Sequence, residues 1–198
     1  VGSEMCIRDR FKDEQINDEH FSLEHILPEV IDEVKDIETH YGKNIPVIVA
    51  GGIYTGEDIK RFMDMGAAGV QMGTRFVTTE ECDASDIFKQ TYIEAKQEDI
   101  QIIKSPVGMP GRAIFSKFIQ KVKEGQKQPK TCMCKCIKTC DISKSPYCII
   151  AALYNAFKGN MDNGYAFAGA NAFRATKIVS VKETFRSLLD EFNRAINK

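Results

Sequence analysis

The sequence predicts an α/β fold in which parallel strands alternate with helices, and three observations carry that reading. The run IPVIVA at residues 45–50 is short, continuously apolar and rich in β-branched side chains, the pattern of a strand buried on both faces. A second short strand, residues 69–72, is expected after one helical stretch, so the order helix, strand, helix, strand with short loops has the rhythm of a βαβ crossover. Each strand ends in a small-residue turn, Gly51-Gly52 after the first and Gly73-Thr74 after the second.

The elements follow in order. Residues 1–10, VGSEMCIRDR, have neither helical nor strand period. They resemble the in-frame translation of a sequencing adaptor, so the reading of the fold begins near Phe11 and expects natural sequence to have been lost upstream of it. Over residues 22–39, Ile26, Leu27, Val30, Ile31, Val34 and Ile37 recur at a spacing of three or four, which predicts a helix. Pro28 is expected in its first turn, where a missing N–H costs nothing, and Gly42 stops it. After the first strand, Thr55 caps a helix over residues 56–65 with Glu57 and Asp58 in its favourable first turn, and Gly66 closes it.

Beyond Thr74 the alternation stops. Residues 84–96 are expected to be helical, 100–103 to form a strand, and SPVGMPGR at 105–112 to be a Pro/Gly-rich loop. Helices are expected at 113–124 and 149–158, while GYAFAGANAFR at 164–174 is small and aromatic without helical spacing. A last helix over 181–197 opens with a capping box from Ser180 to Glu183. Its apolar stripe is Val181, Phe185, Leu188, Leu189, Phe192 and Ile196.

Composition narrows the function. The chain is 43% apolar and 28% charged, with a net charge of −1, so no broad basic field points to nucleic acid or an anionic membrane. No apolar run approaches the ~20 residues of a membrane helix. No signal-peptide pattern is present, which leads to the expectation of a cytoplasmic protein with reduced cysteines.

The two glycine turns carry the sharpest chemical reading. Strands joined by one crossover helix run parallel, so both turns leave the same edge of the sheet. Glycine lets a backbone N–H approach a phosphate with no Cβ in the way, threonine adds a hydroxyl, and helix N-termini add N–H groups and partial positive charge. Together they read as a phosphate site. The spacing is not that of a dinucleotide fingerprint, because no G-x-G-x-x-G opens a helix here.

At PVIVAGGIYTGEDIKRFMDMGAAGVQMGTRF, residues 46–76, the sequence resembles the nitronate monooxygenases, formerly 2-nitropropane dioxygenases. The motif pair AGGI and GVQMGTRF is shared with the flavin-type enoyl-ACP reductases. The resemblance runs from about Phe11 to the C-terminus and includes KSPVGMPGR at 104–112. It implies the C-terminal portion of an FMN-binding (β/α)8 TIM barrel: residues 11–104 as its last βα units with the phosphate site, and residues 105–198 as a Cys-containing C-terminal extension capping the barrel. It also implies that the FMN phosphate is held at Gly51, Gly52, Gln71, Met72, Gly73 and Thr74. The activity implied is flavin-dependent oxidation of alkyl nitronates by O2, with FMN-dependent reduction of an enoyl thioester by NAD(P)H as the alternative.

The family's histidine follows strand 6 in a segment like EAGGHxG, at the place filled here by residues 1–10. His20, His25 and His40 lack that context, so the catalytic base is unassigned and the chain alone is expected to be inactive. In the segment SPVGMPGR, Arg112 either orients an anionic group of substrate or flavin or pairs with a surface acid. Farther on, Asn171 is a candidate to hydrogen-bond a polar ligand edge. Phe167 and Phe173 either wall a pocket or pack against the barrel.

The segment TCMCKCIKTCDISKSPYC holds Cys132, Cys134, Cys136, Cys140 and Cys148. Cys132, Cys136, Cys140 and Cys148 form a Cys-x3-Cys-x3-Cys-x7-Cys series that four-thiolate Zn or an iron–sulfur cluster could use, leaving Cys134 spare. The series is neither the paired knuckle of a zinc ribbon nor the usual ferredoxin run. A metal-binding interaction module is the non-catalytic reading of this segment, and a loop of reduced thiols is the inert one.

Overall fold

A computed structural model describes residues 18–104, 106, 110–126, 132, 140–141 and 143–197. The chain divides into two compact units, Val1–Phe76 with Val179–Lys198, and Val77–Ile178.

In the first unit a 3-10 turn (Glu19–Phe21) leads into α1 (Leu23–Tyr41). Ser22 caps α1 by accepting from the His25 N–H, and Gly42 ends it at φ 62°. That left-handed conformation suits glycine at a helix C-terminus. Pro28 lies six residues into α1 rather than in its first turn. The helix therefore starts earlier than Pro28 suggests, capped by Ser22, and runs through the proline at the cost of the hydrogen bond to the Glu24 carbonyl.

The strands β1 (Ile48–Ala50) and β2 (Gly69–Gln71) flank α2 (Gly56–Asp64). They pair in parallel, Ile48 opposite Gly69, Val49 opposite Val70 and Ala50 opposite Gln71. β1 is shorter than IPVIVA because Pro46 has no N–H to give a ladder. Nor is it buried on both faces: Val49 joins Leu27, Ile53, Phe62 and Ala67 in the core, while Ile48 is 54% exposed. Among the described residues the sheet holds only these two strands, and in β1 Val49 alone is buried. The short α3 (Thr74–Val77) follows β2, and α7 (Val181–Ile196) packs on α2. Ser180 caps α7 through the Glu183 N–H as expected. Of its apolar stripe Leu188 is buried, whereas Phe185 and Leu189 are exposed.

The second unit contains α4 (Asp86–Glu94), β3 (Ile100–Lys104), β4 (Pro110–Ile114), α5 (Lys117–Lys123) and α6 (Ile149–Phe157). β3 and β4 form an antiparallel pair running from Ile100 opposite Ile114 to Lys104 opposite Pro110. Two sequence expectations change here. The loop expected to reach residue 112 gives way to strand at Pro110, and the helix expected from 113 starts at Lys117, because Arg112, Ala113 and Ile114 are drawn into the ladder. Lys104, the last residue expected in the barrel units, is also the last residue of β3. Ala113 bridges to Phe167 on its other side. Beneath lies an aromatic core in which the Tyr165 ring stacks on Phe118 at 6.0 Å and stands edge-on to Tyr147 at 5.8 Å. The Tyr147 hydroxyl donates to the Tyr165 hydroxyl at 3.4 Å. Burial pushes the Tyr165 phenol well above its ordinary range, and the neighbouring Tyr147 adds to this.

Candidate phosphate-binding turns

Because Ala50 pairs with Gln71, the turns after β1 and β2 leave one edge of the sheet about 5 Å apart, the ordinary spacing of neighbouring strands. Gly51 and Gly52 both take positive φ, 114° and 68°, a conformation side-chain-bearing residues rarely adopt. At Gly52 and at Gly73 no heavy atom lies within 4 Å of where a Cβ would stand. Both glycines and Gln71 are exposed, and Thr74, half-buried, begins α3. Met72 packs its side chain against the core around Val49 and Phe62, which leaves its backbone as its only offering to a ligand. The structure thus gathers Gly51, Gly52, Gln71, Gly73 and Thr74 at one sheet edge.

The start of α2, counted among the anion donors from sequence, is filled by the chain's own carboxylates. Gly56 N–H donates to Glu191 at 2.8 Å. Tyr54 N–H and Thr55 N–H both donate to Asp58 at 3.0 Å, and Asp58 N–H donates to the Thr55 hydroxyl at 3.2 Å. Burial alone would raise the Asp58 carboxyl. The hydrogen bonds from the Thr55 and Tyr54 backbone and the Thr55 hydroxyl, with the Arg61 charge, outweigh it and hold the group below the usual carboxylate range. At the glycine turns, by contrast, the space beside Gly52 and Gly73 is open.

Three side chains around these turns went unread in the sequence. The Arg75 guanidinium lies 4.5 Å over the Tyr54 ring, and its Nη2 stands 3.9 Å from Glu191 Oε1, which also accepts from the Ser187 hydroxyl at 2.9 Å. A signal existed. Tyr54 follows Ala50 and Arg75 follows Gln71 by the same offset, so in a parallel pair the two were due to meet.

Arg112, Asn171, Phe167 and Phe173 belong to the second unit. Arg112 stands in β4 opposite Ile102, half-buried, with its carbonyl accepting from Ala168 N–H at 3.0 Å; it is a strand residue rather than a loop cation. Asn171 precedes the 3-10 turn Ala172–Arg174 and is half-buried. Phe167 bridges Ala113 and sits edge-on to Tyr165 at 5.1 Å, so it packs into the core of this unit; Phe173 is half-buried. A cavity of about 180 Å³ in the same unit is lined by Phe118, Tyr147, Cys148, Ala151, Ala152, Asn155 and Asn163, none of them among the candidates for substrate contact. His20, His25 and His40 are exposed. His25 Nδ1 hydrogen-bonds the Ser22 hydroxyl at 2.9 Å and its ring stacks on His20 at 6.0 Å.

Cys132 and Cys140 are exposed, and Cys148 is half-buried at the N-cap of α6. Cys134 and Cys136 lie outside the described residues. Among the described residues no three His, Cys, Asp or Glu side chains are grouped to hold a metal ion. Cys132, Cys140 and Cys148 do not by themselves make the Zn or iron–sulfur site expected from their spacing. None of the described helices is long and apolar enough to cross a membrane.

A profile of the nitronate monooxygenase family matches residues 10–191. The chain belongs to the nitronate monooxygenase family. It is 36% identical over 99 residues to a probable nitronate monooxygenase of Staphylococcus saprophyticus, covering 50% of this chain and 25% of that one. It is 34% identical over 102 residues to a hydroxy-methyl-oxo-octahydro-indene-carboxyl-CoA dehydrogenase of Mycobacterium tuberculosis, covering 52% of this chain and 27% of that one. Among solved structures it resembles FabK from Thermotoga maritima, with a TM-score of 0.62 and 28% identity over 78% of this chain and 46% of FabK. The chain therefore spans about a quarter of the length of the curated relatives it matches. The family and the likeness to FabK imply a TIM-barrel fold, of which the parallel β1–α2–β2 unit is a part.

Proposed function

We propose that the turns after β1 and β2 hold the phosphate of FMN, and that the protein carrying this chain oxidises alkyl nitronates with O2. One observation carries the first half: parallel pairing brings two glycine turns to one edge, with open space where a Cβ would stand at both Gly52 and Gly73. Phosphate sites in (β/α)8 barrels are often built from the loops after the last two strands, so the residues present fit the group. Backbone N–H groups of Gly51, Gly52, Met72 and Gly73 and the Thr74 hydroxyl would hold it. FMN, when bound, supplies the redox chemistry, and the protein supplies binding and orientation. Membership of the nitronate monooxygenase family supports nitronate as the substrate class. His20, His25 and His40 sit on the surface of α1 and its approach, and none of them is assigned as the base.

The likeness to FabK and to a carboxyl-CoA dehydrogenase favours a second reading, FMN-dependent reduction of an enoyl thioester by NAD(P)H. The deciding experiment offers the full gene product an alkyl nitronate with O2, and an enoyl thioester with NAD(P)H. Turnover of nitronate without NAD(P)H is expected. Turnover of the thioester alone would replace the first reading with the second.

A further inference from the structure

We infer that Tyr54 and Arg75, braced by Glu191, form a latch that sets the spacing of the two glycine turns, which makes Arg75 a positioning residue for the phosphate group; this rests on the phosphate reading above. Glycine turns have wide conformational freedom, and donors help a ligand only when held in place beforehand. Something must therefore fix Gly51-Gly52 relative to Gly73-Thr74 beyond the last ladder position, Ala50 opposite Gln71.

The arrangement supplies it. Tyr54 lies two residues past Gly52, Arg75 two past Gly73, and the planar guanidinium lies 4.5 Å over the ring. Each turn is thus tied to the other just beyond its glycines. Tyr54 is 3% exposed, so its ring is a fixed platform. Glu191 grips both sides from α7. One carboxylate oxygen takes the Gly56 N–H at the end of the Tyr54 segment, and the other stands 3.9 Å from Arg75, steadied by the Ser187 hydroxyl. The Arg75 and Glu191 side chains are each 20% exposed, so water screens them less than a surface pair. With its charge answered by Glu191 and its face on Tyr54, Arg75 acts on the turns rather than as a free cation.

Lysine keeps the charge of arginine but not its planar stacking, and riboflavin is FMN without the phosphate. The test is titration of the full gene product with FMN and with riboflavin, followed by flavin fluorescence. Arg75→Lys and Tyr54→Leu should each weaken FMN roughly tenfold, the size expected when a partly desolvated cation–π contact is lost, while riboflavin affinity stays at the wild-type value. Tyr54→Phe keeps the ring and should bind both flavins normally. Full FMN affinity in Arg75→Lys would overturn the latch, because charge alone would suffice. An equal loss of FMN and riboflavin would also overturn it, because the residues would then serve only general stability. If the wild-type protein shows no preference for FMN over riboflavin, the phosphate reading itself fails.

Discussion

A side chain on Gly56 would run into the backbone carbonyl of Leu188 and the backbone N–H of Phe192, and would come within 2.7 Å of Glu191 Cβ. The start of α2 lies directly on the backbone of α7, and a backbone cannot rotate out of the way as a side chain can. Gly56→Ala should therefore push the two helices apart and destabilise the protein by about 1–3 kcal/mol, the usual cost of overpacking. Denaturant unfolding of the variant measures this, and wild-type stability would show that α7 does not rest on Gly56.

Gly73→Val should leave the fold intact and abolish flavin retention. Gly73 has open space at its Cβ position and is not among the positive-φ glycines, so the polypeptide tolerates the side chain and only the ligand meets it. Gly52→Val is different, because φ of 68° strains any branched residue before a ligand is considered. Flavin content and melting temperature should separate the two: Gly73→Val loses the first alone, Gly52→Val both.

The 198-residue chain by itself should not retain FMN. Its described residues contribute two parallel strands, and a barrel that encloses a flavin ring closes on eight. Size-exclusion chromatography after incubation with FMN checks this. A yellow, monodisperse peak with stoichiometric flavin would contradict it.

Asp58 gives a pH-dependent contribution of known sign. Its folded carboxyl titrates below the ordinary value of 3.8; the stability it adds is therefore fully present above that value and is lost as pH falls through the lower folded one. Asp58→Asn should be less stable than wild type at neutral pH, and the difference should shrink below about pH 4, where the unfolded carboxyl takes up its proton. Unfolding free energies of both proteins from pH 7 to 3 measure it. A constant difference would mean that the ionised carboxylate is not what Tyr54 and Thr55 need.

The parts of the fold written in local chemistry were legible in the sequence. Thr55 with Asp58, and Ser180 with the Glu183 N–H, signal helix starts that the structure keeps. The Gly51-Gly52 turn is placed as expected, because few residues besides glycine adopt its φ. What failed was written in long-range pairing. Nothing near Pro110 says that Lys104 lies opposite it, so SPVGMPGR looked like loop throughout and Arg112 like a loop cation. The same holds for the site. Gly73 and Thr74 stand out by type, whereas Glu191 resembles any exposed helix acid until α7 is seen to bring it to Gly56.

The hydrogen bond from Gly56 to Glu191 spans 135 positions, and this has a bearing on how the chain is made. On a ribosome the residues around β1 and α2 emerge before α7, and all of Val77–Ile178 must follow before α7 exists. At the usual pace of synthesis that interval is roughly 5–20 s. Throughout it the Gly56 N–H lacks the Glu191 carboxylate and the surface against Gly56 stays open to chaperones or to other nascent chains. Substitutions in α7 should thus lower yield during expression more than they lower the stability of protein already folded.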